Sequence, residues 1–265
     1  MTSRSLQADH VTLGYDGRTI TEGLTFDVAP GSFTVIIGPN ACGKSTLLKS
    51  LAGLLPPRAG RILLNGQDLA RWSTKQAARE LGLLPQTAVS PDGITVAELV
   101  SRGRYAHQRL FRQWAAEDEQ AVAEAMGLTG VAELAARRVD DLSGGQRQRV
   151  WIAMVLAQEA PTVLLDEPTT YLDVSHQLDV LNVLHELNLR GRTVVAVLHD
   201  LNQAARYASH LVVMRQGSIV AQGAPAEVLT SELVHDVFSL PNRVIADPVT
   251  GTPLVIPLDR RAAAH

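Results

Sequence analysis

The chain has one cysteine, Cys42, so no disulfide can close within it and a reducing compartment is the simple reading. Aromatic residues make up only 4%, which leaves the core to Leu, Val, Ile and Ala. Neither sign of charge dominates: 24 Lys and Arg face 27 Asp and Glu, a net of −3. That balance argues against a broad nucleic-acid surface, and no nucleic-acid partner is expected. Long apolar runs are also missing. Val150 to Ala157 is about the longest, far short of the roughly 18–20 residues of a membrane span. The opening MTSRSLQADH lacks the apolar stretch of a secretory signal, and there is no internal repeat.

What is present is a chain of 265 residues with 46% hydrophobic content, enough for one large α/β domain or two modest ones with a self-sufficient core. Strand-like segments at Leu6–Leu13, Leu24–Val28 and Phe33–Gly38 open it, and Leu47, Leu48, Leu51 and Leu54 follow at helical spacing. From about Ser90 to Ala157 the texture turns helical, with Ala-rich amphipathic stretches expected at Ala116–Met126 and Val131–Arg138. Alternation then returns: strand Thr162–Leu165, helix Ser175–Leu189, strand Thr193–Leu198, helix Leu201–Tyr207, strand Leu211–Met214. Leu178, Leu181, Leu184 and Leu187 give the first of those helices one buried stripe. Two short helical stretches are expected after Ala224, then an extended Pro241–Leu258 and a frayed Arg260–His265. Strands alternating with helices imply a mostly parallel sheet, into which the helical region is inserted.

Gly38-Pro39-Asn40-Ala41-Cys42-Gly43-Lys44-Ser45 fits G-x-x-x-x-G-K-[ST], with a strand before it and a helix after. Gly38 and Gly43 let the backbone wrap so that N–H groups point inward at an anion, and the helix start beyond adds its positive dipole end. Lys44 is the point charge for the β and γ oxygens of a nucleotide, and the Ser45 hydroxyl is a magnesium ligand beside Thr46. The second anchor is Val163-Leu164-Leu165-Asp166-Glu167, an apolar strand ending in two carboxylates. Asp166 at that edge suits a magnesium ion, and Glu167 suits a general base that deprotonates water for attack on the γ-phosphate. By itself, such an acid pair is equally suited to capping a turn.

Leu142-Ser143-Gly144-Gly145-Gln146, followed by Arg147-Gln148-Arg149 and an apolar helix, resembles the signature of ATP-binding cassette (ABC) ATPases. Other residues fall in that family's order: Gln86 as the Q-loop glutamine and a magnesium ligand, Leu172-Asp173 as the D-loop, His199 as the switch histidine, Tyr15 as the aromatic stacking on adenine. The resemblance covers roughly residues 5 to 230. It implies a P-loop ATPase of α/β class, mostly parallel with an antiparallel β portion and an inserted α-helical subdomain. As one cassette over 1–265, it divides into a core at 5–89 and 158–230, a helical signature subdomain at 90–157 and a C-terminal extension at 231–265. It also implies ATP and Mg²⁺ as ligands, with Glu167, His199 and Lys44 catalytic. It further implies a second copy of the chain arranged head to tail, with Ser143, Gly144, Gly145 and Gln146 closing the partner's site and Asp173 linking across. Residue by residue, an ordinary turn histidine at 199 and an ordinary aromatic at 15 are the plainer alternatives.

Gly103-Arg104-Tyr105-Ala106-His107 is similar to the GRxPH sequence of cassettes serving iron–siderophore, haem and cobalamin importers, with Ala106 in place of proline. Asp247-Pro-Val-Thr-Gly-Thr-Pro253 resembles that subfamily's ending. A solvated basic loop is the alternative for Arg102 and Arg104. The resemblance implies an ATPase at the cytoplasmic face of a membrane, working with a two-subunit permease, which residues Pro91–Gln108 would face, and an extracytoplasmic binding protein. The cargo it implies is a ferric siderophore, with haem, cobalamin or a soluble role in metal-cluster assembly or on DNA as alternatives.

Overall fold

The computed structural model describes residues 6–108 and 114–259; the tail expected to fray, Arg260–His265, lies outside them. In chain order the elements are β1 (Leu6–Tyr15), β2 (Arg18–Val28), β3 (Phe33–Ile37), α1 (Lys44–Leu51), β4 (Ala59–Leu64), β5 (Gln67–Asp68), α2 (Thr74–Glu80), β6 (Leu81–Leu84) and α3 (Val96–Ser101). There follow α4 (Ala116–Leu128), α5 (Gly144–Ala157), β7 (Thr162–Asp166), α6 (Val174–Leu189), β8 (Thr193–Val197), α7 (Leu201–Tyr207), β9 (His210–Arg215) and β10 (Ser218–Gly223). The chain closes with α8 (Pro225–Val228), α9 (Ser231–Phe238), β11 (Asn242–Ala246) and β12 (Pro253–Pro257). Among the described residues no helix is long and apolar enough to cross a membrane.

Two compact units divide the chain, one from its start to Ala70 and from Val195 onward, the other Arg71–Val194. In the first, an antiparallel sheet runs in the order β2-β1-β4-β5. Beside β1, alternation decides the faces: Leu6, Ala8, Val11 and Leu13 are buried while their neighbours are not. The same unit holds β10-β9-β3, with β9 parallel to β3 and β10 antiparallel to β9, and the end of β8 reaches β3 through Leu198 N donating to Ile36 O at 3.3 Å. All five residues of β3 are buried, as expected for a parallel strand covered on both faces.

In the second unit β6 and β7 pair in parallel, and β8 starts beside them with Thr193 N donating to Pro161 O. Around these strands lie α3 to α6. The expected stripe on α6 is present: Leu181, Leu184 and Leu187 are buried with Val180, and Leu178 is half-buried.

Two expectations are corrected. Val131–Arg138 forms no α-helix; a single 3-10 turn covers Ala132–Leu134. Its backbone pairs elsewhere, with Val96 N donating to Arg137 O, Ala97 N to Ala135 O and Val139 N to Ile94 O, so tertiary pairing overrides helical propensity. Leu54 is not part of the α1 stripe. The helix stops at Leu51, Gly53 takes φ 75°, Leu54 N closes on Lys49 O, and Leu54 is 67% exposed.

The extended C-terminal stretch is a hairpin of β11 and β12 docked on α7. Asn202 exchanges two hydrogen bonds with the backbone of Val255, accepting from its N at 2.7 Å and donating to its O at 3.2 Å. Arg206 donates to Asp247 at 2.7 Å. Asp247 also accepts from Val249 N and Thr250 N in the hairpin turn, and these donors, Arg206 foremost, hold its carboxyl down to about 2.

Candidate nucleotide site

The phosphate cradle lies in the first unit. β3 delivers the chain to Gly38 and α1 takes it away at Lys44. The loop between winds through left-handed backbone at Ala41 (φ 60°) and Gly43 (φ 107°), conformations that glycine adopts freely and other residues only under constraint. At Gly38 the need for glycine is steric: a Cβ would sit 2.2 Å from Met214 O and 2.8 Å from Cys42 Sγ. At Gly43 a Cβ would meet Ile20 and Thr21 of β2 at 3.2–3.3 Å.

Lys44 is buried, and its ammonium donates to Gly38 O at 2.8 Å and Pro39 O at 2.9 Å, with Cys42 Sγ at 3.9 Å. An oxyanion in the loop would compete with those two carbonyls for the charge. Gly43, the N-cap of α1, offers no side chain to cap the helix start. These features fit a polyphosphate. Cys42 is buried, and that burial pushes its thiol up, so at neutral pH it is protonated and slow to react. Asn40 and Ala41 are exposed at the loop's tip, and Ser45 and Thr46 begin α1. Tyr15 ends β1 at 41% exposure, and His199 is exposed two residues beyond β8, next to Asp200, which caps α7 through Asn202 N and Gln203 N.

The carboxylates lie in the second unit. Asp166 ends β7 and is buried, and Glu167 follows in left-handed backbone, φ 55°. A non-glycine residue held there costs on the order of 1–3 kcal/mol and needs surrounding structure to hold it. Thr170 supplies part of that, its N donating to Glu167 O at 3.2 Å and its hydroxyl to Glu167 Oε2 at 3.3 Å. Gln86 is exposed just beyond β6.

The unit also brings the segment after Glu167 against the start of α5. Gln148 Nε2 donates to Pro168 O at 3.1 Å, and a Cβ on Gly145 would touch Leu172 at 3.3 Å. Ser143 caps α5 in a closed box, its hydroxyl accepting from Gln146 N while Gln146 Oε1 accepts from Ser143 N. Ser143 and Gly144, at the start of a 14-residue helix, are exposed. Asp173 caps α6, its Oδ1 receiving His176 N at 3.0 Å, the Ser175 hydroxyl and His176 Nδ1. Those donors, the backbone N–H first, hold its carboxyl at about 2.

The basic-loop alternative fails for Arg104, which is 5% exposed and bonded to Asp118, Glu159 and Ala157 O; Arg102 is exposed. The missing proline is tolerated: Ala106 is buried at the end of a 3-10 turn, and its carbonyl accepts from Arg79 Nε. Sequence reasoning had not singled out Gln148, Thr170 or Met214. Gln148 alone left a local signal, a polar side chain within the run that leads into the apolar part of α5.

Comparison with known proteins places this geometry in a family. The sequence profile described as "ABC transporter" matches residues 21–170. The ferric enterobactin transport ATP-binding protein FepC of Escherichia coli (strain K12) is 57% identical over 97% of this chain and 95% of its own length. The achromobactin transport ATP-binding protein CbrD of Dickeya dadantii (strain 3937) is 53% identical over 98% and 95%. Among solved structures, a dimeric bacterial ABC transporter cassette, MJ0796, superposes with a TM-score of 0.76 at 26% identity, over 83% of this chain and 98% of that one. With an α/β fold carrying a P-loop, an acid pair after a strand and an LSGGQ helix start, the chain belongs to the ABC transporter family and is an ATP-binding cassette that hydrolyses ATP.

Proposed function

We propose that the chain energises uptake of a ferric siderophore through a separate membrane permease, as two copies bound to its cytoplasmic face. One observation carries the cargo: near full-length identity above 50% to two cassettes named for siderophores. The same kinship supports a two-subunit permease and an extracytoplasmic binding protein as partners.

In this reading the P-loop residues 38–46 bind the phosphates and Tyr15 stacks on adenine. Ser45, Gln86 and Asp166 are the magnesium ligands. A hydroxyl, an amide carbonyl and a carboxylate are hard oxygen donors suited to Mg²⁺. When bound, that ion neutralises charge on the phosphates. Glu167 takes the proton of the attacking water, and His199 contacts the γ-phosphate and orients Glu167.

Ser143, Gly144, Gly145 and Gln146 present the start of α5 to the nucleotide of the second copy, and Asp173 lies at that junction. ATP then favours the closed dimer, hydrolysis reopens it, and the difference in affinity between the two states drives the permease. A pull-down from detergent-solubilised membranes, followed by uptake assays in a deletion strain, tests the reading. The expected result is a co-purified permease and loss of ferric-siderophore uptake. Loss of haem or corrinoid uptake instead, or capture of soluble partners alone, overturns it.

A further inference from the structure

The segment Gly103-Arg104-Tyr105-Ala106-His107 plays no part in the ATP chemistry above, yet its inner face is bonded to the end of the signature helix. It falls in a 3-10 turn, Arg102–Ala106, with His107 as its cap. A Cβ on Gly103 would lie 2.2 Å from Met154 O in the last turn of α5, so only glycine admits this approach. Arg104, though charged, is buried, and its guanidinium donates to Asp118 at 2.8 Å, Glu159 at 2.6 Å and Ala157 O at 2.8 Å. His107 Nε2 donates to Gln158 O at 2.8 Å.

Ala157 is the last residue of α5 and Gln158 its cap. The final carbonyls of a helix have no partner within it, and donors, cationic ones above all, satisfy them. Gln158 is itself tied down, its side chain donating to Leu81 O at 2.9 Å. The outer face of the same turn carries Arg102 and Tyr105, the latter 71% exposed with the Lys75 ammonium 5.7 Å from its ring centre.

We propose that Gly103, Arg104 and His107 clamp the C-terminal end of α5, and that Arg104 and His107 are positioning residues for ATP hydrolysis acting through Ser143–Gln146 at its other end. This rests on the reading that the Ser143 end completes a partner's nucleotide site. The lever is simple. Fourteen residues at about 1.5 Å each put the two ends roughly 21 Å apart, so a tilt of about 3° at the clamp moves the signature end by about 1 Å. A misplacement of that size costs on the order of 100-fold in rate.

Removing Arg104 would strand Asp118 inside the protein, so Arg104→Ala reports on folding, and His107 carries the test. ATPase rate against ATP concentration, affinity of the dilute chain for a fluorescent ATP analogue, and melting temperature are measured for wild type, His107→Ala and His107→Gln at full length. His107→Ala is expected to lower kcat roughly 10-fold, with analogue affinity unchanged and melting lowered by no more than a few degrees. His107→Gln, whose amide donates to the same carbonyl, restores kcat. Wild-type kcat in His107→Ala, a fall in kcat that only tracks the folded fraction, or no rescue by glutamine overturns the clamp. Ser143→Arg run alongside separates the two ideas. A dead Ser143→Arg with a fully active His107→Ala sinks the clamp alone, whereas a fully active Ser143→Arg sinks the reading on which it rests.

Discussion

The helices α1 and α5 both begin at a glycine-containing motif, and they begin in opposite ways. The start of α1 follows Gly43 and has no side-chain cap. Its charge comes from Lys44, buried and held by two carbonyls of its own loop. The start of α5 is closed on itself, with Ser143 and Gln146 satisfying each other, and it lies exposed. The first has no side-chain cap and carries a buried cation, which suits an anion. The second is closed by its own side chains and exposed. In the proposed reading the charged start of α1 and the exposed start of α5 meet one nucleotide from different copies.

The largest expected effect comes from neither helix start but from Glu167, the acid after β7. Glu167→Gln should lower ATP turnover by about 10²–10⁴-fold, the range for a general base, while leaving ATP binding intact and trapping a dimer. Steady-state rates and gel filtration with ATP check this, and unchanged turnover would remove Glu167 from that role. Next, Lys44→Ala should weaken nucleotide binding by roughly 2–3 kcal/mol, about 30- to 150-fold, in a direct titration of the dilute chain. Ser143→Ala sharpens the contrast from the other side. Loss of its cap should lower stability by about 1 kcal/mol in chemical denaturation, yet leave the dilute chain's affinity for ATP unchanged.

The smallest effect concerns acid. Asp247 is held at about 2, below its ordinary 3.8, so its contribution to stability is complete above pH 4 and lost as the pH falls through about 2. The melting-temperature gap between wild type and Asp247→Asn should therefore stay constant from pH 7 to about 4 and close between about 4 and 2. A gap that persists at pH 2 would contradict the Arg206 clasp.

Local chemistry was the legible part of the sequence. The P-loop is legible because Gly38, Gly43 and Lys44 sit at a strand-to-helix junction, and α7 spans the expected Leu201–Tyr207, where the structure adds Asp200 as its cap. Distant partners were not legible. Arg104 admits a solvated loop cation as an alternative because its partner Glu159 lies 55 residues further on, and Val131–Arg138 reads as helical because its backbone partners, Ile94 to Ala97, precede it by about 40 residues. The C-terminal stretch read as extended without its pairing, since the hairpin is fixed on α7 by Asn202 and Arg206. For the same reason α5 was visible as a motif, whereas the clamp on its far end was not.

The central claim is that each nucleotide needs residues of two chains, and the dependence of ATPase rate on protein concentration tests it most directly. With ATP saturating and the purified chain diluted through its dimerisation range, the rate per chain should fall in proportion to concentration, because only dimers turn over. A rate per chain that holds constant where sedimentation shows only monomer would contradict it.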